Sequence, residues 1–222
     1  MGVLRQPNGD DPSMPRLLIG AGWASSEGLS AAGALMVYRL SGNGSVAVAS
    51  RIDTSGFGLD ENDLFGASVE GGVGDVDGDG VNDVLVGATG AVTQDDLESG
   101  EVFLLLMLGN DTVREHARLL EASGVPILGN SFGNALAVLP PLFPGGPVRL
   151  VISSSEEEEL MVLRVGWGDG VAVVAPGISR IVVQDDVTGS SRFDDAVRFG
   201  RAISNVGDID GNGHDDLVVG AP

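Results

Sequence analysis

The stretch FGRAISNVGDIDGNGHDDLVVGAP, residues 199–222, repeats in outline what stands at residues 65–88, FGASVEGGVGDVDGDGVNDVLVGA. Each runs from a Phe-Gly pair through a short apolar segment and an Asp/Gly-rich loop to a second apolar run ending in Gly-Ala. Short Val/Ile/Leu-rich runs bounded by Gly are strand signals, and the loop between them reads as a turn. Working outward, the Phe-Gly pair recurs at Phe65-Gly66, Phe132-Gly133 and Phe199-Gly200, 67 residues apart each time. The second apolar run recurs as Leu17 to Gly20, Val84 to Gly87, Leu150 to Ser153 and Leu217 to Gly220, its final small residues 67, 66 and 67 apart. A register held along the whole chain marks an internal repeat.

Each unit reads as four short strands. In the second unit these are strand A at 67–72, strand B at 84–88, strand C at 101–106 and strand D at about 113–120. The first unit supplies strand C at 34–40 and strand D at 45–52, and the third echoes strand C at 160–164. The third unit's strand D is blurred, because Pro176 interrupts the run from Val171 to Val183 and proline removes a ladder donor. Four antiparallel strands per repeat of this length suit a propeller blade better than a sandwich, whose sequence need not repeat. A β-solenoid is disfavoured, since its coils are shorter.

The loops between strands A and B carry the chemistry. Asp75, Asp77, Asp79, Val81 and Asp83 occupy positions 1, 3, 5, 7 and 9 of one loop, and Asp208, Asp210, Asn212, His214 and Asp216 occupy them in the other. Side-chain oxygens at 1, 3, 5 and 9 with a backbone carbonyl at 7 can wrap one calcium ion, which takes six to eight oxygens in flexible geometry. An EF-hand would need a bidentate Glu at position 12, and the residues there are Val86 and Val219. One acidic turn could hold nothing; two at the same repeat position point to Ca2+. Four carboxylates against three make the Asp75 loop the tighter site by charge count. At the ninth position the first and third units have Arg16 and Arg149, and their turns are rich in proline. Those turns read as metal-free and held by proline rigidity.

At these residues the chain resembles the FG-GAP repeat of integrin α-subunits. Residues 199–222 carry the whole motif, and residues 65–88 nearly so, with Thr89 where the motif has Pro. The first and third units match in strand pattern only. The resemblance implies a propeller with calcium in the loops of some blades, and secreted or cell-surface work in adhesion or recognition.

The fold expected is therefore all-β, a partial β-propeller of four-stranded antiparallel blades. The divisions are 1–64 (blade 1, strand A truncated, no calcium loop), 65–131 (blade 2, calcium loop), 132–198 (blade 3, degenerate) and 199–222 (two strands of blade 4, calcium loop). Three blades plus two strands suggest a piece of a longer protein, or a short chain that closes its ring by oligomerising.

Composition limits the function. Thirty-two acidic residues face 12 basic ones, a net charge of −20, and every basic residue is Arg. Nucleic acid and anionic membrane surfaces are disfavoured as partners, because both need a basic patch. The absence of cysteine removes disulfides, thiolate zinc and thiol catalysis. No apolar run is long enough to span a membrane, and the N-terminal residues lack the apolar stretch of a signal peptide. His214 falls at a position that ligates through the backbone, and His116 reads as a surface residue beside Glu115. No serine has a partner histidine, so no hydrolase triad is expected.

Asn43-Gly44-Ser45 and Asn110-Asp111-Thr112 are glycosylation sequons in C–D turns. Trp167 is read as packing across its turn. In an up-and-down blade the B–C and D–A loops gather opposite the calcium loops. Residues 21–33, 53–64, 88–100, 121–131, 154–159 and 184–198 hold 17 of the 32 acids there, opposed only by Arg192 and Arg198. A protein or glycan ligand, cationic in character, is expected on that face. The function expected is a non-catalytic calcium-binding module for extracellular recognition or cell adhesion. The alternative is an accessory propeller of a larger secreted enzyme, such as a phospholipase or polysaccharide-degrading protein.

Overall fold

A computed structural model describes residues 2–4, 15–92, 99–119, 131–142, 146–154, 159–168, 171–182 and 199–222. Among the described residues, fourteen strands form four antiparallel sheets. The first holds β1 (Gly2–Leu4), β2 (Arg16–Gly20), β3 (Ala34–Leu40) and β4 (Val46–Asp53). The second holds β5 (Phe65–Glu70), β6 (Val84–Ala88), β7 (Glu101–Met107) and β8 (Val113–Arg118). The third holds β9 (Phe132–Leu139), β10 (Val148–Ser154), β11 (Glu159–Gly168) and β12 (Val171–Val182), and β13 (Ala202–Gly207) pairs with β14 (Asp216–Gly220) in the fourth. Strands within each sheet lie in chain order, the up-and-down pattern of a propeller blade.

Core packing shows why β6 and β7 are apolar at nearly every position. Val84, Val86, Phe103 and Leu105 pack against Leu18, Leu35, Val37 and Ile52 of the first blade. The alternate residues Leu85, Val102, Leu104 and Leu106 pack against Leu136, Leu150, Ile152 and Leu163 of the third. Period-2 alternation sends successive side chains to opposite faces, so a blade between two others must be apolar on both. The third blade's far face, with Ala137, Leu139, Val151 and Leu160, receives Phe199, Ile203, Leu217 and Val219 of the fourth.

The Phe-Gly pairs make the seams between blades. The N–H of Phe65 donates to Ala32 O at 2.9 Å, and that of Phe132 to Ser99 O at 2.9 Å, each acceptor lying in the preceding unit. Gly66 and Gly133 take φ of 92° and 86°, a region that L side chains avoid. Their carbonyls sit against the strand-B glycines of the preceding blade: a Cβ on Gly20 would lie 2.0 Å from Gly66 O, and one on Gly87 2.2 Å from Gly133 O. The small residue ending each B strand is thus a close-approach site between backbones. In the third blade Ser153 takes that place, and Ala135 N–H donates to its Oγ at 2.9 Å.

Three readings need correction. Strand A of the second blade begins at Phe65, not Ala67, because the register shift between Phe65 and Ser68 absorbs the positive-φ glycine inside the strand. Pro176 does not end the last strand of the third blade. Val162 pairs with Ser179 and Arg164 with Ala175, so residues 176–178 bulge past Leu163 on the sheet's outer strand, where a missing N–H costs no central ladder bond. His116 is half-buried rather than a surface residue, its ring 4.4 Å from that of Phe57, and burial lowers its pKa.

Candidate metal centres

The two Asp/Gly loops sit at the same A–B position and share most of their backbone-to-carboxylate bonds. Asp75 Oδ2 accepts from Gly80 N–H at 2.9 Å, and Asp208 Oδ2 from Gly213 N–H at 2.8 Å. Asp79 N–H donates to Asp75 Oδ1 and Asp77 Oδ1, each at 3.1 Å, while Asn212 N–H donates to Asp208 Oδ1 at 2.9 Å and Asp210 Oδ1 at 3.0 Å. The fifth-position side chains of Asp79 and Asn212 each accept from the N–H two residues on, both at 2.8 Å. Gly80 and Gly213 adopt φ of 88° and 87°, which turns the chain back sharply enough for those bonds to form.

Each loop brings three carboxylates together. One oxygen from each of Asp75, Asp77 and Asp83 lies within 4.8 Å of the others, and Asp208, Asp210 and Asp216 do the same. Hard anionic oxygens around one point suit calcium, and so does the lack of nitrogen or sulfur donors. Asp79 stands outside its converged triad. Val81 and Asn212 are held in their loops by the bonds just given, and His214 is exposed, as expected of a residue that would ligate through its carbonyl.

The loops differ in depth. Asp83 is fully buried, and its carboxylate accepts from Val76 N–H at 2.8 Å and from Met107 N–H, on β7, at 2.9 Å. Burial pushes its pKa up to about 7, although both N–H bonds pull the other way. Burial also raises Asp77. Asp216 lies in a two-stranded sheet and is only half-buried, and Asp208 is held low by N–H bonds, that from Gly213 foremost.

A guanidinium enters the Asp75 loop from another strand, a feature that loop spacing could not reveal. Arg114 Nη2 pairs with Asp77 Oδ2, and its Nη1 lies 3.6 Å from Asp79 Oδ2. The guanidinium offsets part of the negative charge that the loop gathers.

The first blade's ninth-position residue does more than replace an acid. Arg16 is buried, pairs with Asp111 and donates to Gly109 O at 3.2 Å, while Arg39 Nε reaches the same carboxylate at 2.7 Å. Asp111 belongs to the C–D turn of the second blade, so the site is an arginine clamp across the seam. In the third blade Arg149 Nε donates to Pro140 O at 3.0 Å. Residues 5–14 and 143–145, with Pro7, Pro12 and Pro144 among the prolines expected to stiffen these turns, lie outside the described residues.

On the opposite face Asp63 is buried, and Asp60 N–H donates to it at 2.7 Å, so it caps a turn instead of presenting charge. Asp53 is paired with Arg51. Residues 93–98, 155–158 and 183–198, and the side chain of Trp167, lie outside the described residues. Asn43 and Asn110 are exposed in their turns. No helix among the described residues is long and apolar enough to cross a membrane.

Comparison with known proteins places these loops. The FG-GAP repeat family matches residues 67–105 and 199–222, the segments that contain the two loops. Integrin alpha-4 of Xenopus laevis is 31% identical over 158 residues, 71% of this chain. The matched region spans 14% of that protein's length. The chain is a partial β-propeller of FG-GAP repeats, an integrin α-like domain.

Proposed function

We propose that this chain is a non-catalytic, calcium-binding propeller module for recognition or adhesion outside the cell, with one ion in the Asp75 loop and one in the Asp208 loop. The observation that carries the reading is that two loops at the same repeat position share their main turn bonds and each converge three carboxylates. Asp75, Asp77 and Asp83 with the Val81 carbonyl would hold the first ion, joined by Asp79. Asp208, Asp210 and Asp216 with the His214 carbonyl would hold the second, joined by Asn212. Calcium supplies charge neutralisation at each A–B turn and so fixes the loop between its strands. Likeness to an integrin α-chain favours a protein ligand, and the acidic B–C and D–A loops favour a cationic one.

Titration calorimetry on the whole chain tests the metal reading. Two calcium sites with dissociation constants of roughly 10⁻⁴–10⁻³ M are expected, the range of extracellular modules. Asp75→Ala should remove one of them and Asp208→Ala the other. Absence of calcium heat in the wild type would overturn the reading.

A further inference from the structure

Arg114 is set into the Asp75 loop by a feature of the strand that carries it. In the β7–β8 pair, Leu106 faces Glu115 and Met107 faces Val113, which leaves Arg114 as the extra residue of a β-bulge. A bulge turns its unpaired residue away from the ordinary alternation and re-aims the side chain. Here the guanidinium is aimed at Asp77 and Asp79, across 37 residues of sequence. In the first blade the residue 67 positions earlier is Ala47, uncharged and paired with Arg39, and the bulge of that strand falls at Ala49 instead; the A–B turn of that blade has no calcium motif.

The two partners differ in their freedom. The Asp77 side chain is 2% exposed, whereas that of Arg114 is 40% exposed. Arg114 can therefore swing into water and be hydrated there, whereas Asp77 stays in place and needs another cation beside it. A guanidinium is a cation of one charge; calcium brings two and takes oxygens from all sides.

We infer that Arg114 is a built-in competitor for calcium: it neutralises the Asp75 loop when metal is scarce and is displaced, or repels the ion, when metal arrives. The inference rests on the calcium reading above. It names Arg114 as a residue that sets the affinity and working range of this loop, offsetting the advantage that its fourth carboxylate confers over the Asp208 loop. The rival role is that Arg114 orients Asp77 as a ligand and stays in place, which would make it an aid to binding.

The experiment compares wild type, Arg114→Gln and Arg114→Ala in the full chain, each carrying Asp208→Ala and Asp210→Ala so that calcium heat reports the Asp75 loop alone. Removing a positive charge that sits on two of the carboxylates should tighten calcium binding about tenfold. In chelator both variants should melt below their parent, and in saturating calcium the gap should close. Arg51→Ala, which removes an equal charge paired with Asp53 elsewhere, should leave the affinity within about twofold. Weaker or unchanged calcium binding in Arg114→Gln would overturn the inference while leaving the calcium site standing. Absence of calcium heat in the parent would instead remove the reading on which it depends. If Arg114→Ala fails to fold, the Gln variant, which keeps most of the side chain, decides.

Discussion

At the scale of single residues, Asp83 ties the metal loop to protonation. Burial pushes its carboxyl up to about 7 in the folded chain, from an ordinary value of 3.8. Below 3.8 the group is protonated in both states and carries no penalty. Between 3.8 and about 7 the unfolded chain releases the proton while the folded chain keeps it. The metal-free protein therefore loses stability as pH rises through this window, the reverse of the usual buried-pair carboxylate. In chelator, thermal melts near pH 5.5 should lie above those near pH 8, and Asp83→Asn should flatten that slope. Calcium needs the ionised form, so its affinity should climb as pH rises toward 7. Equal slopes in wild type and Asp83→Asn would show that the general acidity of the chain controls the effect.

Among elements, the seams decide stability. A methyl group at Gly87 would press on Gly133 O at 2.2 Å and on Ser68 Oγ at 2.3 Å, and the first of these is backbone. Gly87→Ala should cost about 3 kcal/mol in urea melts. Gly166→Ala, where a Cβ meets nothing within 4 Å, should stay within about 0.5 kcal/mol. Much of this level was legible in the sequence. β6 runs over 84–88 and β3 over 34–40 as read, since an apolar run closed by a small residue has sharp ends. Strand A starts earlier than read because a positive-φ glycine looks like a terminator when it is in fact the contact with the preceding blade. Pro176 misled for a related reason: a bulge on an outer strand accepts what a ladder would not. The loop spacing of Asp75 and Asp208 was readable, being local. Arg114 and the Arg16–Asp111–Arg39 clamp were not, because strand pairing and blade packing bring those charges together from far along the chain.

For the whole molecule, the gradient of packing runs along the chain. β6 and β7 are covered on both faces, whereas Val218 of β14 is 54% exposed and Ile209 of the loop before it 70%. A two-stranded sheet packed on one face opens more readily than a four-stranded one packed on two. Amide exchange should be slowest in 84–88 and 101–107 and fastest, among the strands, in β13 and β14. Uniform protection across both regions would mean that the chain opens as one unit.

The seams also set an order in time. The N–H of Phe65 finds its acceptor at Ala32, and that of Phe132 at Ser99, each 33 residues earlier. The first strands of the second and third blades thus dock on chain made before them. Their ladder partners, β6 and β10, follow within the same unit. At about 5–20 residues per second a 67-residue unit emerges over roughly 3 to 13 s, long enough for hairpins to close before the next unit arrives. Growth can then proceed blade upon blade, with each finished surface serving as the template for the one being synthesised.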